Sequence, residues 1–132
     1  MNKVFKLLKF LIVEDNFLIA IDLEAQLLDM GHDVIGIATT APAAIAMASV
    51  AKPDVAIIDL QLAEGTRGQD AAIALWQDFG VPSIIVSGSL HQVTDSEKSA
   101  MAPLAMLSKP LMPGELRRAI NTAGRSASPG RD

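Results

Sequence analysis

Carboxylates, a hydroxyl and an ammonium stand where apolar runs of this sequence stop. LIVED ends with Glu14 and Asp15, VAIID with Asp59, IIVSGS with Ser87 and its neighbours, and LAMLSKP with Lys109 and Pro110. An acid at the end of a buried run needs a reason, because an unpaired charge is costly there. Brought together, Glu14, Asp15 and Asp59 would repel one another unless a cation lay among them. A hard divalent ion with oxygen ligands resolves that repulsion, and Mg2+ is the common ion where phosphate chemistry follows. A lysine ammonium and a serine hydroxyl suit phosphoryl oxygens. A carboxylate can itself be the nucleophile and become an aspartyl phosphate. Phosphoryl transfer asks mainly for positioning and charge neutralisation, which this set supplies.

Those residues meet only if the chain folds to bring them together. Five short, mostly apolar runs, at residues 7–13, 33–38, 54–59, 82–87 and 104–108, alternate with helix-patterned segments. Consecutive apolar positions mark strands buried on both faces of a parallel sheet. Asn16 is placed to cap a first helix with an apolar stripe of Ile19, Ala20, Leu23, Leu27 and Met30, ended by Gly31. A second helix is expected from about Thr40, with Pro42 in its first turn, to Ala51, where Lys52-Pro53 stops it. A third spans about residues 69–79, a polar fourth with a thin apolar face lies within 92–101, and a fifth runs from near Pro113 to Gly124. Five strand–helix units in this order predict an α/β fold. Its expected form is a flavodoxin-like, doubly wound, five-stranded parallel sheet with five helices, (βα)5. Ligands bind such sheets at the carboxyl ends of the strands, where the polar residues above would collect.

Composition limits the alternatives. The chain has 132 residues, enough for one ordinary domain, and half of them are hydrophobic. Mean hydropathy is +0.33, so a core can form. A formal charge of −4 gives no electrostatic reason to expect nucleic acid. The absence of cysteine excludes disulfides, thiolate catalysis and cysteine-ligated zinc, and suits a cytoplasmic protein. Lys3, Lys6 and Lys9 form a short basic lead into the first strand. The early acids argue against a signal peptide or a membrane span.

In this order, LIVEDN, VAIIDLQL, IIVSGS and LSKP resemble the receiver (CheY-like) domain of bacterial two-component response regulators, over about residues 6–121. The resemblance implies a role for each residue. Asp59 matches the phosphoacceptor, Asp15 the direct Mg2+ ligand, and Glu14 the acid that acts on the metal through water. The backbone carbonyl of Gln61 matches a further metal ligand, Asp59 itself being one. Ser87 and Lys109 match the hydroxyl and ammonium that meet the phosphoryl group, and Pro110 the proline after a cis bond. The implied domain spans residues 1–124, with a disordered tail at 125–132. The implied partner is a sensor histidine kinase or a phosphotransfer protein, with no role for nucleic acid or membrane and room for a weak homodimer. The chain would not be an enzyme beyond its own phosphorylation and dephosphorylation. With only a short tail after Gly124, its expected output is a protein–protein signal, a phosphate relay or a phosphate sink.

The sequence departs from the family pattern in places. Met106 stands where an aromatic residue three before the lysine often reports the phosphorylated state, and a flexible methionine could still repack there. Ala63 replaces a usual proline, and the loop AEGTRG is slightly long, with Gly65 and Gly68 expected to take positive φ. With VIGIATTA, this loop resembles receivers of bacterial stress-type regulators and some stand-alone receivers.

Rival readings are a degenerate receiver serving only as an interaction module, a Mg2+-dependent phosphohydrolase, and a flavin binder. The phosphohydrolase would want a second acid where Gln61 stands. The flavin binder would want a phosphate loop where Glu14 and Asp15 stand. Singly, each motif also has a plainer reading as a strand end, a turn or a loop. His32 and His91 are expected to be exposed loop residues, and Trp76 a packing residue. Arg117 and Arg118 are expected to favour the last helix's dipole, and Asp22, Glu24 and Asp29 to lie on the solvent face of the first helix.

Overall fold

A computed structural model describes residues 7 to 126. The strands are β1 (Lys9–Val13), β2 (Asp33–Ala38), β3 (Val55–Ile58), β4 (Ser83–Ser87) and β5 (Ala105–Ser108). The helices are α1 (Phe17–Asp29), α2 (Ala41–Ala51), α3 (Gly68–Phe79), α4 (Asp95–Met101) and α5 (Glu115–Ser126). One parallel sheet results, in the order β2-β1-β3-β4-β5. This is the expected flavodoxin-like fold, with element ends shifted by a few residues. Lys3, Lys6 and the tail beyond Ser126 lie outside the described residues.

Alternation along the strands divides the core between two faces. Phe10, Ile12, Val55, Ile57, Ile84 and Val86 pack with Ala20, Leu23 and Leu27 of α1 and with Leu116 and Ile120 of α5. Leu11, Val13, Ala56, Ile58 and Ile85 pack on the other side with the buried alanines of α2, with Ala71, Ala72 and Leu75 of α3, and with Met101 of α4. Both faces being covered, the central strands are apolar at consecutive positions. Burying a side chain of Ile or Leu size contributes about 1.5–3 kcal/mol.

The connections put helix starts beside strand ends. Asn16 Oδ1 accepts from the Ile19 N–H at 3.1 Å and opens α1 as expected. Thr40 Oγ1 accepts from the Ala43 N–H at 3.1 Å and opens α2, with Pro42 in its first turn. Thr94 and Glu97 form a reciprocal capping box on α4. α4 has seven residues and buries only Met101, which bears out its thin apolar face. α5 runs past Gly124 to Ser126, so its end is later than the sequence suggests.

Two expectations are corrected. Trp76 is 40% exposed on α3, because Ala71, Ala72 and Leu75 already fill that helix's inner face. His32 is half-buried rather than a free loop residue. Its Nδ1 accepts from the Leu8 N–H at 3.1 Å, and its ring lies 5.2 Å from that of Phe10. Burial, aided by the charge of Arg117, lowers the His32 pKa. The folded chain therefore favours the neutral imidazole. That contribution is present above the ordinary histidine pKa and is lost as pH falls through it and below. From about pH 7 to about pH 5, the melting temperature should fall further for the wild type than for His32→Gln. Equal falls in thermal melts of the two proteins would remove this role from His32.

Candidate functional site

The carboxyl ends of β1 and β3 lie side by side, Val13 in register with Ile58. The chain leaves both strands through acids. The Glu14 N–H donates to Ala38 O and the Asp59 N–H to Val13 O, each at 2.9 Å, so sheet-like hydrogen bonding continues into the site. The residue before a β1 acid and the residue before a β3 acid are thus paired, and Glu14, Asp15 and Asp59 converge. One carboxylate oxygen of each lies within 4.8 Å of one from each of the others. Glu14 is 2% exposed and Asp59 9%, whereas Asp15 opens to solvent.

Lys109 arrives from the end of β5, its N–H held by Ser87 O at 3.1 Å. Its Nζ donates to Glu14 Oε1 at 2.7 Å and to Asp59 Oδ2 at 2.9 Å. The Lys109–Pro110 peptide bond is cis, matching the expected geometry. The remaining carboxylate oxygens find backbone donors: Glu14 Oε2 accepts from the Asn16 N–H at 3.0 Å, and Asp59 Oδ1 from the Leu60 N–H at 2.7 Å. Burial still raises the Glu14 pKa, outweighing Lys109 and the Asn16 N–H, and the Asp59 charge adds to the rise. Burial alone would lower the Lys109 pKa, but its bonds to Glu14 and Asp59 raise it. A carboxyl held above its ordinary pKa favours folding at low pH and works against it once ionised.

Ser87 is 1% exposed at the end of β4, where its Oγ accepts from the Ser89 N–H at 3.1 Å. Gln61 lies in the loop after β3 and forms an isolated antiparallel bridge with Arg67. The structure thus brings Glu14, Asp15, Asp59 and Lys109 into one cluster, with Ser87 and Gln61 on neighbouring strand ends. His91 and the exposed arginines of α5 have no part in it. The donor set fits a hard cation: every convergent ligand is oxygen, and the Lys109 ammonium bridges the two buried acids.

Gly68 corrects another expectation. Positive φ occurs at Glu64 (59°) and Gly65 (70°), not at Gly68. A Cβ on Gly68 would lie 1.9 Å from the Asp59 carbonyl oxygen, and the Gly68 N–H donates to Leu60 O at 2.8 Å. Glycine is needed there so that the start of α3 can press against the backbone of Asp59. Met106 is half-buried against the cluster that includes Met101. Neither the Gly68 contact nor the pairing of Arg67 with Glu97 of α4 carries a sequence signal beyond the residue types.

Comparison with known proteins gives a consistent picture. The family model for the response regulator receiver domain matches residues 10–121. The phyllosphere-induced regulator PhyR of Methylorubrum extorquens is 37% identical over 116 residues, covering 87% of this chain and 43% of that protein. The signal receiver domain of a modulated diguanylate cyclase from Desulfovibrio desulfuricans G20 superposes with a TM-score of 0.82 at 30% identity, covering 92% of this chain and 96% of that one. The anti-anti-sigma factor PhyR of Bartonella quintana superposes with a TM-score of 0.79 at 29% identity, covering 97% of this chain and 53% of that one. The chain spans about half the length of the curated relatives it matches.

Replacing Gly68 by Ala should force the start of α3 off Asp59. A cost of roughly 3 kcal/mol is expected in urea unfolding. Unchanged stability would mean that the loop has room the contact denies.

Proposed function

The chain belongs to the response regulator receiver domain family, and from that premise we propose that Asp59 is its phosphoacceptor. The observation that carries this reading is the convergence of Glu14, Asp15 and Asp59 under the Lys109 ammonium. A sensor histidine kinase or a phosphotransfer protein presents a phosphohistidine. An Asp59 carboxylate oxygen attacks phosphorus, the P–N bond to the imidazole breaks, and the imidazole leaves with its electron pair and takes up a proton.

The chain's own residues do four things. Leu60 N–H holds Asp59 Oδ1, and Oδ2, released when Lys109 turns to the phosphoryl group, is the oxygen that attacks. Lys109 moves from a tie between two acids to a partner for the new phosphoryl oxygens. Ser87 offers its hydroxyl proton, since its Oγ only accepts within its own loop. Asp15, Asp59 and the Gln61 carbonyl would hold Mg2+ directly, and Glu14 through water. That ion, when bound, supplies charge neutralisation for the phosphoryl oxygens.

Phe17, Leu18 and Met112 are exposed apolar side chains on the segments that follow β1 and β5 at the site's rim. They suit a protein donor. Output through protein contacts, in a cytoplasmic setting, is supported by the likeness to an anti-anti-sigma factor. Among the described residues no helix is long and apolar enough to cross a membrane. Met106 in place of an aromatic keeps the interaction-module reading as the alternative.

Intact mass after incubation with acetyl phosphate tests the assignment. The wild type should gain one phosphoryl group with Mg2+ and none without it, and Asp59→Asn should gain none. Lys109→Ala should form the adduct about 100-fold more slowly. An adduct that persists in Asp59→Asn would move the phosphoacceptor elsewhere. No adduct together with no binding of beryllofluoride would favour the interaction module.

A further inference from the structure

The loop after Asp59 is held by polar ties. Gln61 and Arg67 pair across it, the Leu62 N–H donates to Thr66 O at 3.2 Å, and Thr66 Oγ1 donates to Ala63 O at 3.0 Å. An open cleft of about 220 Å3 runs beside it, lined by Leu60, Leu62, Gln69 and Gln92 among others. Gln69 is 3% exposed there and its Oε1 has no hydrogen-bond partner among the described residues, while Leu60 and Leu62 bury their side chains in the core.

Arg67 reaches out of the loop to α4. Its guanidinium donates to Glu97 Oε2 and pairs with Asp70 at 3.5 Å. The other Glu97 oxygen, Oε1, accepts from the Thr94 N–H at 3.1 Å, while the Glu97 N–H donates to Thr94 Oγ1 at 3.1 Å. One carboxylate thus closes the first turn of α4 and holds the loop that follows Asp59. α4 depends on that closure, since it is seven residues long, buries only Met101, and ends at Ala102 in a left-handed conformation (φ 45°).

We propose that Arg67 is a positioning residue for the Asp59 site: its backbone pairs with Gln61 and its guanidinium anchors the loop to the first turn of α4 through Glu97, so that cation binding and ordering of that turn stabilise each other. This rests on the reading of Asp15, Asp59 and Gln61 as metal ligands. Such coupling is reciprocal. It cannot exceed what a partly exposed ion pair transmits, which sets an effect of about two- to fivefold on affinity.

Calorimetric titration with Mg2+ and hydrogen exchange at the Glu97 and Lys98 amides test it together. Arg67→Ala and Glu97→Gln should each weaken Mg2+ binding by about two- to fivefold, the double variant should be no worse than either single, and Arg67→Lys should recover part of the loss. Mg2+ should slow exchange at the two amides in the wild type and not in Arg67→Ala. A lower melting temperature with unchanged Mg2+ affinity would make the pair merely structural and overturn the proposal. Absence of Mg2+ binding by the wild type would overturn the metal reading and this inference with it, whereas binding that the variants leave unchanged overturns this inference alone.

Discussion

Repulsion among like charges is the condition under which this fold has to work. Carboxylate oxygens of Glu14, Asp15 and Asp59 lie within 4.8 Å of one another, and two of the three side chains are buried. Two unit charges about 4 Å apart interact by about 4 kcal/mol at an effective dielectric of about 20. The whole stability of a small domain is only about 5–15 kcal/mol. The cluster therefore persists because something offsets it, and Lys109 is the charge that does so. Its ammonium bridges Glu14 and Asp59, and two backbone N–H groups take the oxygens it leaves. The pKa of Glu14 remains raised, mainly because the carboxyl is buried, with the Asp59 charge adding to the rise.

The architecture explains how the acids come to be so close. Parallel strands end on one edge, so residues just past β1 and β3 are neighbours without any special loop. The sheet is covered by α1 and α5 on one face and by α2, α3 and α4 on the other, which leaves the carboxyl edge as the place where polar groups can meet solvent. Gly68 then removes the last slack. With no Cβ in the way, α3 starts against the Asp59 carbonyl, and Asp59 is wedged between a sheet and a helix.

Much of this was legible in the residues. Continuous apolar runs marked the doubly covered strands, and Asn16 and Thr40 with Pro42 marked helix starts, because these signals are local. The acids and Lys109 were legible because a charge at the end of a buried strand is costly unless a partner meets it there. The parts that were not legible depend on distance in space. Gly68 reads as a turn glycine until the Asp59 carbonyl is placed beside it. His32 reads as a loop residue until the Leu8 N–H and the Phe10 ring are seen around it. Trp76 reads as core by its type, but smaller residues had already filled the inner face of α3. Arg67 and Glu97 are thirty positions apart, and only the packing of α4 beside α3 makes them partners.

The exposed Trp76 has a spectroscopic consequence. The chain holds one tryptophan and no tyrosine, so its near-ultraviolet emission comes from that single indole. The indole is 40% exposed, which makes it sensitive to solvent and quenchers. It rides on the same rigid helix whose first residue touches the Asp59 backbone, about 12 Å away along the axis. The protein thus carries a built-in optical probe on the helix that starts at its site, readable without a label.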